Sequence, residues 1–530
     1  MFKILITDQI GPAGLKRLDE AHDITYDLIT GLRKDELLAI VAQYDALIVR
    51  SGTQIDAEIL KAANNLQVIG RAGIGVDNVD LAAATRAGII VMNTPGANSI
   101  ATAEFTIALM LDISRHTAPA SASLASGEWK RTEYVGTELF GKTLGIIGFG
   151  QVGRLVAERA LAFGMEVLAL DPYVSEEVAR QMGVTLVDLE DLLPESDYLT
   201  LHTTYLPETA DIINVETISQ MKDGVVILNT ARGRLIDDHA LADALKSGKV
   251  KAAAIDVYRE EPPRKSNPLL GLPNVLHTPH LGASTTESQR AVATQIVQQV
   301  IAALRGQDFV NALNMPFQID QYSSFDAIRP FMKLGEKIGI LHAGLANAPI
   351  QHIEVEARGE QASKLVRAFA SAVLKGVLRD VVDVPLNYVN APILAQENGI
   401  TVAQVQGING LDYPNLFTCR ATWEGGSRTL SGVLFGGSEP RIVQLDDYRL
   451  EANPEGVVLI LKNQDTPGVI GQVGTILAAY QVNIGEWRLG RDKPGGVALS
   501  FINLDSVPST SVLNALGEVA AVTKLKLVSL

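Results

Sequence analysis

Gly145-Ile146-Ile147-Gly148-Phe149-Gly150-Gln151-Val152-Gly153 is the stretch that decides the fold of this chain. An apolar run beginning at Thr143 leads into it, and a helical pattern opens at Gln151. In such a G-x-G-x-x-G turn, Gly148 permits a tight turn, Gly150 lets the backbone approach a pyrophosphate, and Gly153 lets the helix pack on the strand. The helix N-terminus offers its amides to the diphosphate. The pattern therefore predicts a dinucleotide-binding site.

The acid that follows the glycines indicates which dinucleotide binds. A second apolar strand, Glu166–Leu170, ends in Asp171, about twenty residues further on, where a carboxylate accepts hydrogen bonds from the adenine ribose. Pro172 and Tyr173 come next, so no arginine is present there to receive a 2′-phosphate. The pattern favours NAD over NADP.

Length and composition limit the class of protein. A chain of 530 residues is too long for one core and predicts roughly three or four domains. The net charge of −15 argues against a nucleic-acid partner, because such a surface needs a basic field. The same charge means that an anionic substrate has to be attracted by a local cluster of arginines.

The single cysteine, Cys419, lies in an apolar strand-like run and is predicted to be an inert core thiol. One cysteine cannot form an intrachain disulfide, which is typical of a reducing compartment. The N-terminus reads as a strand without a basic leader, and no apolar run is long enough to span a bilayer. We therefore expect a cytoplasmic location, no membrane partner and no metal site.

Two series of alternating strands and helices predict two doubly wound parallel sheets. The first series has strand candidates at Lys3–Thr7, Ile24–Leu28, Ala46–Val49, Val68–Arg71 and Ile89–Met92. The second has six, as in a full dinucleotide-binding sheet: Thr143–Gly148, Glu166–Leu170, Tyr198–His202, Val225–Asn229, Ala252–Val257 and Val275–His277. Long helices are predicted from Ser99, with Asn98 as the N-cap, and over Thr286–Leu304.

These patterns predict an α/β chain of four domains. Residues 1–97 and 286–315 form a substrate-binding domain, and 98–285 form the NAD-binding Rossmann domain. Residues 316–452 mix helix and alternating strands as an α+β unit. Residues 453–530 read β-α-β-β-α-β, the order of a ferredoxin-like fold.

Three predicted strand ends in the second sheet carry the candidate chemistry, because ligands bind at the carboxyl ends of such strands. They supply Arg232, Glu261 and His280. Oxidation of a hydroxy acid needs a base, for which histidine is suited, and a carboxylate that fixes its tautomer. An arginine clamps the substrate carboxylate. Each residue alone could be a surface charge, a loop acid or a core histidine, but together they favour catalysis.

The sequence resembles the D-isomer-specific 2-hydroxyacid dehydrogenases over about the first 315 residues, and within them the long members. The motifs that carry the resemblance are Arg71–Asp80, Asn93-Thr94-Pro95, Gly148–Gly153, Asn229–Gly233, Glu261-Pro262 and Pro279–Thr285. Residues 316–452 resemble the allosteric-substrate-binding domain of the long members. The last unit resembles an ACT domain through Asp465-Thr466-Pro467-Gly468 and Val482-Asn483-Ile484.

The resemblance implies NAD-dependent oxidation of 3-phospho-D-glycerate to 3-phosphooxypyruvate, the first step of serine synthesis. It makes His280 the acid/base, Glu261 its partner and Arg232 the substrate clamp. It implies cofactor contacts at Gly148, Gly150, Gln151, Val152, Gly153, Asp171, Thr203, Thr230, Ala231, Asp256, Gly282 and Ala283. It places substrate at Arg50, Ser51, Arg71, Gly73, Ile74, Gly75 and Arg131. For Arg131 the resemblance implies a phosphate contact made from the neighbouring subunit of a homodimer or homotetramer.

Two further expectations follow from the resemblance. Asn463, Asp465 and Asn483 are candidates for holding a serine effector, the alternative being that the last unit only builds the oligomer. The alternative functions are a glyoxylate, hydroxypyruvate or 2-oxoglutarate reductase, or an NAD-sensing corepressor without enzymatic activity. The arginines are consistent with a phosphorylated hydroxy acid, which carries about three negative charges.

Overall fold

Residues 1–317, 325–407 and 413–530 are described by this computed structural model, and together they contain four sheets. The first is parallel, in the order β2-β1-β3-β4-β5, which is the flavodoxin-like order. Its elements are β1 (Phe2–Ile6), α1 (Pro12–Asp19), β2 (Ile24–Leu28), α2 (Lys34–Ile40), β3 (Ala46–Val49), α3 (Ala57–Ala62), β4 (Val68–Arg71), α4 (Leu81–Arg86) and β5 (Ile90–Met92).

The second sheet is also parallel, in the order β12-β11-β10-β9-β6-β7-β8, a Rossmann order with one added edge strand. Its elements are α5 (Ser99–Arg115), α6 (Thr117–Ala125), β6 (Thr143–Ile147), α7 (Gln151–Ala162), β7 (Glu166–Leu170), α8 (Glu176–Gln181), β8 (Thr185–Leu186), α9 (Leu189–Glu195), β9 (Tyr198–Leu201), α10 (Val215–Gln220), β10 (Val225–Asn229), α11 (Asp238–Ser247), β11 (Val250–Ile255) and β12 (Val275–His277).

The two-sheet, α/β prediction is confirmed, but the predicted number of strands in the second sheet is wrong. Within the fully described residues 1–317 the second sheet has seven strands, not six. The missed strand, β8, has only two residues, too few to show any periodicity, and forms because the edge of β7 is free to pair. Asn98 is the N-cap residue of α5, as predicted, although its side chain makes no capping hydrogen bond. Its carbonyl accepts hydrogen bonds from the amide and hydroxyl of Thr102.

A late helix, α12 (Thr286–Leu304), returns to the first sheet. A Cβ on Gly70 would lie 2.5 Å from Val300 and 2.9 Å from Ile296. The bare strand backbone therefore lets the helix approach closely. We call the first sheet with its helices and α12 the first lobe, and the second sheet with its helices the second lobe. The backbone passes between them after β5 and again before α12.

The third sheet is mixed, in the order β14-β13-β15-β16-β17-β18. Its elements are α13 (Phe325–Leu345), β13 (Ile350–Arg358), α14 (Glu360–Lys364), α15 (Val366–Leu378), α16 (Ala391–Glu397), β14 (Thr401–Gly407), β15 (Leu416–Trp423), β16 (Gly426–Phe435), β17 (Glu439–Leu445) and β18 (Tyr448–Ala452). Cys419 is fully buried in its core, and burial raises the pKa of the thiol. The prediction of an inert core thiol is confirmed.

The fourth sheet is antiparallel, in the order β20-β21-β19-β22. Its elements are β19 (Val457–Gln464), α17 (Val469–Ala479), β20 (Ile484–Arg491), β21 (Val497–Leu504), α18 (Thr510–Gly517) and β22 (Val522–Ser529). This strand order is that of the predicted ferredoxin-like fold. In the parts of the chain that the structure describes, no helix is long and apolar enough to cross a membrane.

Candidate active site

A cleft of about 950 Å³ lies between the two lobes, at the carboxyl ends of their strands. Its volume suits a dinucleotide site. Most of the predicted site residues line it: Arg50, Ser51, Arg71, Gly73, Ile74, Gly75, Val152, Thr203, Thr230, Ala231, Arg232, Glu261, His280, Gly282 and Ala283. Segments far apart in sequence therefore meet in one cavity.

His280 and Glu261 form a hydrogen-bonded pair in this cleft. The Nδ1 atom of His280 lies 2.6 Å from Oε2 of Glu261. The other carboxylate oxygen, Oε1, accepts from the Tyr258 amide at 3.1 Å, which fixes the carboxylate. Because Nδ1 is engaged by an acceptor, the proton is placed on Nδ1 and Nε2 is free to accept one from a substrate.

The pKa of Glu261 lies below its ordinary range. Burial is the largest single influence and raises this pKa, but the influences that lower it, led by the hydrogen bond and charge of His280, together outweigh burial. The Tyr258 amide and the charge of Arg232 act in the same direction. Glu261 is therefore a carboxylate at neutral pH, as needed to stabilise a positively charged imidazole.

The loop that carries His280 is held from beneath by Asp256. This residue is fully buried at the end of β11, and its carboxylate accepts from the Thr278 hydroxyl and from the amides of Leu281 and Gly282 at 2.7, 2.7 and 2.9 Å. His280 itself has a φ of 53°, a left-handed conformation that is rare outside glycine. These hydrogen bonds hold the backbone of the loop at His280 in that conformation.

A second histidine, His202, also lines the cleft. Burial lowers the pKa of His202 to about 3, so it stays neutral at pH 7. Its Nε2 atom is 3.0 Å from the hydroxyl of Thr200, and no carboxylate contacts it among the described hydrogen bonds. His280, with its carboxylate partner, is therefore the better general base.

Arg232 reaches the cleft from a turn after β10 that Asn229 closes. The Asn229 side chain accepts from the Ala231 amide at 3.0 Å and donates to the Arg232 carbonyl at 2.9 Å. Asn229 is 1 % exposed, so both bonds are shielded from water. The turn projects the Arg232 guanidinium towards the first lobe, where its Nε donates to Asp77 at 2.9 Å.

Arg71, at the end of β4, is a half-buried arginine. Burial, followed by repulsion from Arg232, lowers the pKa of Arg71 to about 10. Its Nε is buried and has no hydrogen-bond partner within the described part of the chain. Because a buried donor without a partner is costly, it indicates a place for an anionic ligand. Arg50 is a second cation in the same cleft.

The glycine turn fits the NAD predicted for it. A Cβ on Gly148 would lie 2.6 Å from the backbone of His202 and Thr203, and one on Gly153 would lie 2.2 Å from the Gly148 carbonyl oxygen. These two glycines bring strand and helix together, whereas a Cβ on Gly150 would enter open space. The Asp171 carboxylate accepts from the Phe149 amide at 2.8 Å, so it lies beside the turn.

Some predicted residues do not line the cleft. Asp256 does not line the cleft, and its carboxylate is engaged with the loop that carries His280. Gln151 turns towards Ser99, whose hydroxyl is 3.2 Å from Oε1. Arg131 is exposed outside the cleft of its own chain.

The three effector candidates each contact a different partner. Asn463 is buried and donates to the Gln464 carbonyl, while Asp465 accepts from Arg491 and the Gly495 amide. Asn483 is exposed and donates to Asp505 at 2.6 Å. The structure does not bring their side chains into direct contact.

Sequence reasoning missed the residues that hold the site in place. Asn78 donates to the carbonyls of Arg50 and Thr53, and Asn93 donates to the carbonyl of Ile74. Asn93 follows β5 directly and Asn78 lies in the loop between β4 and α4, and amide side chains at such places are typical of loop bracing. An asparagine in a loop after a predicted strand was therefore the only sign of these supporting residues in the sequence.

Comparison with known proteins identifies the class of protein. The profile described as "D-isomer specific 2-hydroxyacid dehydrogenase, NAD binding domain" matches residues 107–282. The chain belongs to the D-isomer-specific 2-hydroxyacid dehydrogenase family, as the resemblance predicted, and is an NAD-dependent oxidoreductase. It is 41 % identical to a D-3-phosphoglycerate dehydrogenase of Methanocaldococcus jannaschii and 37 % identical to that of Bacillus subtilis, each over 100 % of both chains.

Other similarities cover parts of the chain. The profile "D-3-phosphoglycerate dehydrogenase intervening domain" matches residues 327–446. Among solved structures, a D-lactate dehydrogenase of Aquifex aeolicus complexed with NAD and lactic acid has a TM-score of 0.53 and 29 % identity, covering 57 % of this chain and 96 % of its own. A glyoxylate reductase of Paecilomyes thermophila has a TM-score of 0.53 and 34 % identity, covering 57 % and 94 %.

Proposed function

We propose that this chain oxidises 3-phospho-D-glycerate to 3-phosphooxypyruvate with NAD, the first step of L-serine biosynthesis. The observation that carries the proposal is the meeting of a His280–Glu261 pair with three arginines, Arg50, Arg71 and Arg232, in one cleft. The pair suits alcohol oxidation, and the arginines suit a substrate with carboxylate and phosphate groups. Relatives named D-3-phosphoglycerate dehydrogenase, similar over the full length, support the same substrate.

In the proposed reaction each side chain has a separate task. Arg232 binds the substrate carboxylate and polarises the carbon–oxygen bond beside it. His280 takes the hydroxyl proton on Nε2, and Glu261 stabilises the resulting imidazolium through Nδ1. Bound NAD supplies the hydride acceptor. Arg50 and Arg71 offset the remaining negative charge of the substrate.

An absorbance assay for NADH tests this proposal. We expect kcat/KM for 3-phospho-D-glycerate to exceed that for D-glycerate by at least about 10²-fold, because the phosphate meets partly buried cations that D-glycerate leaves unpaired. D-Lactate is the second comparison substrate. Equal rates on the acids without phosphate, or faster reduction of glyoxylate, hydroxypyruvate or 2-oxoglutarate, would favour another reductase of the family. No turnover of any acid would favour an NAD-sensing protein.

We also propose that residues 453–530 are an ACT domain that binds serine and inhibits the enzyme. The β-α-β-β-α-β order, with strand order β20-β21-β19-β22, supports the ACT interpretation. Isothermal titration of the full chain with L-serine tests the effector. We expect saturable binding below millimolar concentration, weakened by Asn483→Ala. An absence of heat at millimolar serine would leave the unit only a structural role.

A homodimer or homotetramer is part of the proposal. The segment after α6 exposes large apolar side chains, among them Trp129 at 79 % and Val135 at 77 %. Such a patch marks an association surface. Arg131 lies in the same segment and does not line the cleft of its own chain. We therefore assign it to the substrate of the neighbouring protomer.

We further propose a cytoplasmic location. The single cysteine is buried and free, so the fold depends on no disulfide. This suits a reducing compartment, where NAD-linked metabolism of phosphorylated acids takes place.

A further inference from the structure

One ion pair connects the two lobes inside the cleft. Asp77, in the loop between β4 and α4 of the first lobe, accepts at Oδ2 from Nε of Arg232 in the second lobe at 2.9 Å. The two residues are 155 positions apart in sequence. The side chain of Arg232 is 29 % exposed and that of Asp77 is 57 % exposed, so this is a solvent-accessible ion pair with a charge-assisted hydrogen bond.

The pair determines which donors of Arg232 remain for a ligand. A guanidinium has five N–H groups. The one on Nε is used by Asp77, and one on Nη1 donates to the Ala231 carbonyl at 2.7 Å. The remaining N–H groups lie on Nη1 and Nη2, the outer edge of the fork, which is the edge that binds a carboxylate with two parallel hydrogen bonds.

Gly75 leaves the space in which the pair forms. A Cβ at this position would lie 1.9 Å from Nη2 of Arg232 and 2.8 Å from Oδ2 of Asp77. The guanidinium therefore rests against the backbone of the Gly73–Gly75 loop. The turn after β10 carries Arg232 from the second lobe, and the Asp77 carboxylate of the first lobe accepts from its guanidinium.

Asp77 also acts on the charge balance of the cleft. Arg232 lowers the pKa of Arg71, after burial, and Asp77 raises it. The other charged groups facing Arg71 are Arg50, which lowers its pKa, and Asp8, which raises it. Without Asp77 the guanidinium of Arg232 would lose the carboxylate that accepts from its Nε and would still be repelled by Arg71.

We propose that Asp77 is a positioning residue for Arg232: it orients the guanidinium so that its outer N–H groups meet the carboxylate of the hydroxy-acid substrate. This inference rests on the proposed function of Arg232 as the clamp. It predicts that loss of Asp77 harms catalysis through Arg232 alone.

Two substitutions at Asp77 test the inference. Asp77→Ala should lower kcat/KM for 3-phospho-D-glycerate about 10- to 100-fold, because a clamp displaced by an ångström loses that much. Asp77→Asn keeps an oxygen that can accept from Nε, so its loss should stay within about 5-fold. The KM for NAD should not change in either variant. A lowered substrate KM in Asp77→Ala would mean that Asp77 repels the substrate, and would overturn the proposal.

Asp80→Ala is the matched control. Asp80 lies in the same loop and caps α4 by accepting from the Ala83 amide at 2.9 Å. Its loss should lower the melting temperature and leave kcat/KM unchanged. If Asp80→Ala lowers kcat/KM as much as Asp77→Ala does, the order of the loop explains the effect and the proposal fails.

A double-mutant cycle shows whether Asp77 acts through Arg232. In the Arg232→Ala background, Asp77→Ala should change kcat/KM by less than about 2-fold. A full additional loss would overturn the proposal. Oxalate can also be titrated into the NADH-saturated protein, with NADH fluorescence as the signal for binding. Asp77→Ala should weaken the binding of oxalate. Weakened oxalate binding in a protein that oxidises no hydroxy acid would refute the proposed function but not the pairing, whereas unchanged oxalate binding in an active enzyme would refute the pairing.

Discussion

Replacing His280 with alanine should lower kcat for 3-phospho-D-glycerate about 10³-fold, the contribution of a well-placed general base. Nε2 of this imidazole is the free nitrogen opposite the Glu261 hydrogen bond of 2.6 Å, so no other atom of the pair can take the hydroxyl proton. The KM for NAD should stay within about 2-fold, because the base binds the substrate and not the dinucleotide. Steady-state rates with both ligands varied measure the two effects separately.

His239→Ala is the control for this prediction. His239 is exposed on α11 and does not line the cleft, so its loss should leave kcat unchanged. His202→Gln is a second comparison, since burial keeps His202 neutral at pH 7. A His280→Ala enzyme with nearly normal turnover, or a His202→Gln enzyme with the larger loss, would show that the base has been assigned to the wrong histidine.

Replacing Arg232 with alanine should lower kcat/KM about 10³-fold, through a higher substrate KM and a lower kcat together. The guanidinium binds the carboxylate before the reaction and stabilises charge beside it during the reaction, so both constants should change. Arg232→Lys should restore only part of the loss, because an ammonium group cannot make two parallel hydrogen bonds. Initial rates at varied 3-phospho-D-glycerate separate the constants.

Arg180→Ala controls for the removal of an arginine as such. Its side chain is 79 % exposed on α8, so its loss should change neither constant. A rise in KM without a fall in kcat in Arg232→Ala would contradict the second role of this residue, leaving it only a binding contact.

The site residues that could be predicted best are those for which a local sequence motif and the topology of a parallel sheet give the same placement. A strand, the glycine turn Gly148–Gly153, a helix and the acid Asp171 follow one another in the order of a nucleotide site, and parallel strands bring their carboxyl ends to one edge. For that reason Arg232, Glu261 and His280 could be expected to meet without knowledge of any distance. The fold class could be predicted on the same grounds, because each β-α alternation spans only about thirty residues.

What could not be predicted depends on contacts between distant segments. The sequence around Asp77 and the sequence around Arg232 do not indicate that these residues pair. The sequence around Asp256 likewise does not indicate its burial beneath the catalytic loop. The two-residue strand β8 forms through its neighbour rather than through its own propensity. The left-handed conformation of His280 is likewise imposed by the surrounding hydrogen bonds and not by its residue type.

The double passage of the backbone between the lobes limits how the cleft can move. The connections lie after β5 and before α12. A twist of one lobe against the other would strain at least one of them, so we expect the lobes to move by a hinge rotation that opens and closes the cleft. Arg50 and Arg71 lie on the first lobe, and His280 and Glu261 lie on the second. We expect closure of the cleft to bring a substrate held by the arginines of the first lobe to His280 and to exclude bulk water from the reacting groups.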